Sequence, residues 1–210
     1  MNKVLVINEF WDTAGMFRKY GWQETKSYDD ADLVLFTGGA DIGPELYGEK
    51  EHRRTYTSPA RDKVEVEAFN EALKRNIPMA GICRGAQLLC ALSGGKLYQD
   101  VDNHSSGDHD MVDAKSGRII TTTSIHHQMC ILPKDAELIA YATESTRKET
   151  YDEVHRTGDD KFGVDVEVFY IPRTQCLGFQ GHPEYSGTKT ECSDYFFECI
   201  GRYINLGVEA

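Results

Sequence analysis

The stretch IPMAGICRGAQLLCALSGG, Ile77 to Gly95, decides the fold. It opens as a short apolar strand, Ile77 to Ile82, with a proline that the start of a strand tolerates. It closes as a helix, Arg84 to Ser93, ended by Gly94-Gly95 as helix ends prefer. Between them stands Gly81-Ile82-Cys83-Arg84-Gly85, a G-x-nucleophile-x-G elbow with cysteine in the nucleophile position. A nucleophile on so sharp a turn takes a strained backbone. The residues two away must lack side chains, or they would collide with strand and helix. With 19 glycines and six cysteines in 210 residues, this pattern arises by accident roughly 0.05 times. The plain alternative is a buried cysteine beside two turn glycines; the strand before and the helix after favour the elbow. The turn presents the sulfur at the carboxyl end of a sheet, where open α/β sheets bind ligands. The helix N-terminus behind it favours thiolate over thiol.

A thiolate nucleophile needs a base and a group to orient that base. Of seven histidines, His182 stands in Gly181-His182-Pro183-Glu184, just after an apolar run. The carboxylate two residues on, across a stiff proline, can hold one imidazole tautomer. Cys83, His182 and Glu184 form the candidate triad. A developing oxyanion needs donors. The backbone amide of Arg84 follows the nucleophile directly. The second donor is expected from Gly39, in Thr37-Gly38-Gly39 at the end of another apolar run, where no side chain blocks approach.

Outward from the elbow, further apolar runs read as strands: Lys3 to Asn8, Asp32 to Thr37, Gly117 to Thr123, Glu137 to Ala142, Val164 to Ile171 and Gln175 to Phe179. Helical patterns lie at Asp62 to Arg75, with Val66, Phe69, Ala72 and Leu73 near one stripe, and toward the C-terminus. There Cys192, Phe196, Cys199, Ile200, Tyr203 and Ile204 share one 3.6-period face, with Gly207 beyond. Strands alternating with helices in the first half predict a parallel sheet with crossovers. The second half is richer in strands, some pairing as hairpins. No repeat or linker interrupts the chain, so a single domain over 1–210 is expected. The polar stretch Thr143 to Gly163 reads as a long exposed excursion, either a mobile surface loop or a lid or partner contact.

Composition narrows the function. The chain has 23 basic and 34 acidic residues, a net charge of −11. That argues against nucleic acid and anionic membrane partners. No apolar run approaches the ~18 residues of a membrane span, and Met1 to Asn8 enters a strand without a secretory signal; a cytoplasmic protein is expected. No two cysteines form a C-x-x-C pair, so zinc ribbons and thioredoxin-like chemistry are unsupported, and one working thiol among structural ones is expected. Asp102, His104, Asp108, His109 and Asp110 crowd one segment, but their irregular spacing in a polar loop supports a metal poorly. No metal and no cofactor are expected.

With these pieces in place, the sequence resembles the class I glutamine amidotransferase-like superfamily. It looks most like the stand-alone γ-glutamyl hydrolases of the γ-glutamyl-GABA hydrolase type, the C26 peptidase grouping. The likeness rests on Thr37 to Glu49 (TGGADIGPELYGE), Arg61-Asp62 with its helix, Gly81 to Val101, Ser124 to Gln128 (SIHHQ) and Gln180 to Glu184 (QGHPE). It implies an α/β, flavodoxin-like, mostly parallel sheet with helices on both faces. It implies Cys83 as nucleophile, His182 as base, Glu184 as orienter and an oxyanion hole at Gly39 and Arg84. It further implies that Gln87 and backbone groups of His127 and Gln128 hold the glutamyl end of a small γ-glutamyl substrate, the His126 and His127 side chains being structural or standing behind the residues that touch substrate. Two departures stand out. Only Glu9 to Ala31 lies between the first strand and the Gly-Gly loop, so a strand–helix unit is missing or reduced. Gly181 replaces a bulky residue common in relatives, which is expected to widen the pocket floor. The implied activity is hydrolysis of glutamine or a γ-glutamyl amine through a thioester. The alternatives are a glutaminase subunit feeding ammonia to a synthase on another chain, and a catalytically silent module on the same fold.

Overall fold

Alternation along the strands builds the molecule. Val4 and Val6, Leu33 and Leu35, Ala80 and Ile82, and Leu177 and Phe179 enter one core cluster. The residues between them, Leu5, Val34, Phe36, Met79 and Cys176, enter a second. Such strands are apolar on both faces and must be covered on both. The computed structural model describes residues 1–105, 107–144, 160–185 and 190–206. Among them, one nine-stranded sheet runs through the molecule. Its strands are β1 (Lys3–Ile7), β2 (Gln23–Thr25), β3 (Leu33–Phe36), β4 (Met79–Ile82), β6 (Asp108–Asp113), β7 (Ile119–Thr123), β9 (Glu137–Ala142), β10 (Val166–Ile171) and β11 (Cys176–Phe179). Their order is β2-β1-β3-β4-β11-β10-β9-β6-β7. From β2 to β11 every pairing is parallel; from β11 outward every pairing is antiparallel. The parallel part has the flavodoxin-like 2-1-3-4-5 order, with β11 as its fifth strand.

Among the described residues, four α-helices cover the sheet: α1 (Thr13–Lys19), α2 (Pro59–Lys74), α3 (Arg84–Leu92) and α4 (Glu191–Cys199). Phe17 of α1 and Phe196 of α4 pack in the first cluster. Phe69 of α2 and Leu88 and Leu89 of α3 pack in the second. β5 (Lys96–Tyr98) and β8 (Met129–Ile131) form a separate antiparallel pair. No described helix is long and apolar enough to cross a membrane.

Of the two alternatives for the short Glu9 to Ala31 segment, the reduced one holds: a strand–helix unit remains there as α1 and β2. Other expectations needed correction. The stripe of α2 is rotated: Asp62, Glu65, Ala68, Phe69 and Ala72 face inward while Leu73 is exposed, because Arg84 lies beneath the first turns and draws two carboxylates in. The segment around His109 is not a polar loop but strand β6. The C-terminal helix is α-helical only to Cys199 and winds as a π-turn over Ile200–Ile204. The extra residue per turn breaks the 3.6 period, and Tyr203 and Ile204 are half-buried while Phe196, Cys199 and Ile200 are fully covered. Residues 145–159 of the polar excursion, and Gly207, lie outside the described residues.

Candidate active site

Parallel strands place their carboxyl ends on one edge, and the predicted site residues gather there. β3 leads into Thr37-Gly38-Gly39, β4 into Cys83, and β11 into Gln180 to Glu184. The strand β1 leads into a further loop, Asn8 to Trp11, at the same edge.

Cys83 has φ 50° and ψ −109°. A non-glycine residue rarely adopts this conformation, which costs on the order of 1–3 kcal/mol. The flanking glycines are required by space: a Cβ on Gly81 would collide with the Gly85 backbone, and one on Gly85 with the Phe36 carbonyl. Cys83 N–H donates to the Phe179 carbonyl (2.8 Å), binding the elbow to the strand that carries His182. Among the described residues, the amides of Gly39 and Arg84 make no hydrogen bond; both remain available to an acceptor.

His182 Nδ1 lies 2.9 Å from Glu184 Oε1, both side chains buried. That contact leaves Nε2 for Cys83, whose side chain is within hydrogen-bonding reach. Burial works against a charged imidazole, but the bonds and charges of Cys83 and Glu184 outweigh it and push the His182 pKa up to about 10. The group is therefore an imidazolium at neutral pH. His182 N–H donates to Thr123 Oγ1 (2.8 Å), fixing the ring's backbone to β7. Phe10 and Trp11 pack against the imidazole, with centroids 6.2 and 4.7 Å away, and Trp11 meets Tyr185 edge-on at 5.1 Å. Trp11 and Tyr185 are largely exposed, 44% and 61%, so they form an aromatic rim.

The candidate oxyanion loop is held from behind. Arg61 Nη2 donates to the Thr37 and Gly38 carbonyls (3.1 and 2.8 Å), and its Nε to Glu65 Oε1 (2.7 Å). Glu65 also receives Asn8 Nδ2 (3.1 Å) and pairs with Arg84, which pairs in turn with Asp62. Gly39 has φ 145°, and a Cβ there would meet the Arg61 guanidinium. One buried ionic network thus joins both candidate oxyanion donors. Its signal was legible: Arg61 and Glu65 stand at i, i+4 on one helix. Trp11 carried no such signal.

The residues implied as substrate contacts cluster beside the elbow. Gln87 Nε2 donates to the Gln128 carbonyl (3.2 Å) and Gln180 Oε1 (3.3 Å). The His127 carbonyl accepts from Val101 N–H (2.8 Å), while its ring sits 3.1 Å from Asp41. That bond raises the His127 pKa against the opposing effect of burial. Gln128 Nε2 reaches Thr55 Oγ1 (3.3 Å). One expectation fails: the space beside Gly181 is filled by Thr122 Oγ1, so glycine there makes room for β7 and does not widen a pocket floor. A cavity of about 280 Å³ borders His182, lined among others by Thr122, Pro183, Tyr185 and Cys192 but not by Cys83; it is not the pocket of the sulfur. All six cysteines are buried and unpaired. Burial pushes the Cys176, Cys192 and Cys199 thiols up to about 12, which suits packing roles.

Solved structures share this arrangement of elements. PurLQS from Thermotoga maritima superposes with a TM-score of 0.67 at 15% identity, over 97% of this chain and 99% of that one. A glutamine amidotransferase from the same organism gives 0.59 at 18% identity, over 97% and 84%. The fold is that of the class I glutamine amidotransferase-like proteins. In sequence, a Lactococcus lactis subsp. cremoris protein described as glutamine amidotransferase-like, the YvdE homolog, is 47% identical over 76 residues, 36% of this chain and 40% of that protein. The carbamoyl phosphate synthase small chain of Buchnera aphidicola is 30% identical over 138 residues, 64% of this chain and 32% of its own length. The matched stretches thus span well under half of these relatives. The Peptidase C26 profile matches residues 23–184, and the chain belongs to that family.

Proposed function

We propose that this chain hydrolyses the γ-glutamyl amide bond of glutamine or a γ-glutamyl amine through a γ-glutamyl thioester on Cys83. The observation that carries this reading is the strained elbow holding Cys83 beside His182, itself bonded to Glu184 at 2.9 Å. The Cys83 thiolate adds to the γ-carbonyl carbon, forming the C–S bond. The carbonyl oxygen becomes an oxyanion and accepts from the amides of Gly39 and Arg84. His182 gives its Nε2 proton to the departing nitrogen as the C–N bond breaks. Water then attacks the thioester while His182 takes its proton. Glutamate leaves, and the thiolate and imidazolium are restored. Glu184 holds the imidazole in its working tautomer. Gln87 and the backbone at His127 and Gln128 hold the α-amino and α-carboxylate end. The nitrogen leaves on the His182 side, where Trp11 and Tyr185 offer an aromatic rim. That rim favours a substituted amine as the leaving group.

A second reading rests on the carbamoyl phosphate synthase small chain among the relatives and on PurLQS among the structural neighbours. In it the chain acts as a glutaminase subunit and passes ammonia to a synthase on a separate chain. The test is glutamate release by the purified chain from glutamine and from a panel of γ-glutamyl amines. Turnover of substituted amines by the chain alone supports the first reading. Glutaminase activity that appears only with an added synthase supports the second. In either case Cys83→Ala must reduce turnover at least about 10⁴-fold, the scale for loss of a nucleophile. Unchanged hydrolysis in that variant sinks both, and silence of the wild type on every substrate leaves a non-catalytic module.

A further inference from the structure

A second cluster of titratable side chains lies behind the site, and the proposed hydrolysis does not use it. His109 Nε2 is 3.0 Å from Glu167 Oε1, His104 Nδ1 is 3.6 Å from it and His126 Nε2 is 4.0 Å from it. Glu167 is fully buried, His104 and His126 nearly so. Neither Glu167 oxygen, nor His109 Nε2, nor His126 Nε2 makes a hydrogen bond. Among the described residues no lysine or arginine pairs with Glu167. A buried carboxylate without a compensating cation or donor is costly.

The outer nitrogens point to the same conclusion. His126 Nδ1 donates to the Gln128 carbonyl (2.9 Å), which leaves the Nε2 lone pair directed at Glu167. His104 Nε2 lies 3.3 Å from Asp165 Oδ2 and Nδ1 lies 3.4 Å from Ser124 Oγ, a long contact that a bond to an ion would replace. Metal-bound histidines use these outer contacts to fix tautomer and ring orientation. A tetrahedral ion with bonds near 2.0–2.1 Å holds its ligand atoms about 3.3 Å apart. The distances to Glu167 Oε1 bracket that value, and the three atoms of His104, His109 and Glu167 lie within 4.8 Å of one another.

We propose that His104 Nδ1, His109 Nε2, His126 Nε2 and a Glu167 oxygen form a four-coordinate site for a divalent transition-metal ion of the zinc class. Three imidazoles and one carboxylate suit such an ion. Its two positive charges balance Glu167 and the Asp165 carboxylate behind His104. All four positions are protein ligands, so the ion is structural and activates no water. It ties β6 and β10 to the two loops that carry His104 and His126. Gln180 N–H donates to the Glu167 carbonyl (2.7 Å), so the ion also braces the segment leading to His182. Asp108 and Asp110 sit on the exposed face of β6 and take no part.

The test uses the full chain without a histidine tag. Wild type purified in metal-free buffer should carry, or take up, about one zinc per chain by mass-spectrometric metal analysis. Chelation should lower Tm by about 5–10 °C, as expected for loss of a tightly bound native-state ligand. A Cys83→Ala chain loaded with Co(II) should show tetrahedral visible bands without thiolate charge transfer. Glu167→Gln and His109→Ala should weaken Co(II) binding at least about 100-fold. Wild type that takes up no stoichiometric metal overturns the proposal, whether or not the variants fold. So does metal that disappears in Cys83→Ala, or that survives in both ligand variants.

Discussion

Cys83 differs from the other five cysteines in geometry before it differs in chemistry. The others are packing atoms; Cys83 sits at φ 50° with glycines on both sides and an imidazole in reach. Native protein treated with iodoacetamide near pH 8 should therefore lose about one thiol per chain, and denatured protein all six. A native chain that loses none, or several at equal rates, contradicts the assignment. Glu184 makes the second residue-scale prediction. The bonds and charges of Cys83 and Glu184 push the His182 pKa up to about 10 against the effect of burial, so the imidazolium persists well above neutral pH. The alkaline limb of kcat/KM is then set by its deprotonation. In Glu184→Gln the supporting charge is gone while burial, which disfavours the imidazolium, remains. The limb should move to lower pH by about one unit or more. A limb that stays put would mean that His182 is not the titrating group. Cys83, His182 and Glu184 were all readable as a pattern, because an elbow and a short H-P-E turn are local structures.

At the scale of elements, the decisive contact is between α2 and the end of β3. Arg61 binds the carbonyls of Thr37 and Gly38 and is held by Glu65, which also holds Arg84. Arg61→Ala should leave Cys83 alkylation intact and lower kcat about 10–100-fold with a smaller change in KM, because a displaced oxyanion donor acts on the transition state. Arg61→Lys, which keeps charge but loses the fork, should rescue little. A variant with wild-type kcat would show that the loop positions itself. The rotation of α2 follows from the same contact. Its apolar pattern suggested Val66 and Leu73 as core, yet a buried Arg84 required carboxylates inward and turned Leu73 to solvent. Among the elements the sequence did not show, β2, β5 and β8 are three-residue strands, too short to show a period, and β6 is too polar, DHDMVD, to read as an apolar run.

For the whole molecule, one carboxylate links the two ends of the second half. Asp113 closes β6, accepts from Ser116 N–H (2.7 Å) in the following turn, and reaches Tyr195 Oη (2.7 Å) and Arg202 Nη1 (3.0 Å) at the C-terminal helix. Burial raises its pKa, but the donors from Tyr195, Ser116 and Arg202 together hold it well below the usual carboxylate range. A depressed folded-state pKa contributes stability above the unfolded value near 4, and that stability is lost as pH falls below it. Asp113→Asn should destabilise by about 2–4 kcal/mol near neutral pH, the scale of breaking a buried charged network. The difference from wild type should narrow in acid. Urea unfolding across that range measures both, and a constant difference would remove the carboxylate's charge as the cause.

From the amino-acid order alone came the sheet-forming runs, the elbow at Cys83, the His182–Glu184 turn and the Gly-Gly loop, since each depends on a few adjacent residues and their backbone limits. Contacts across the chain came only with the folded structure. Folding set Thr122 against Gly181, aimed Glu65 at two arginines, packed Trp11 against His182, and brought His104, His109 and Glu167 together with His126 beside them. Those partners lie on different strands and loops, and no periodicity encodes which strand edges will meet; their proximity is decided by sheet order and by the burial of charge that must find a partner.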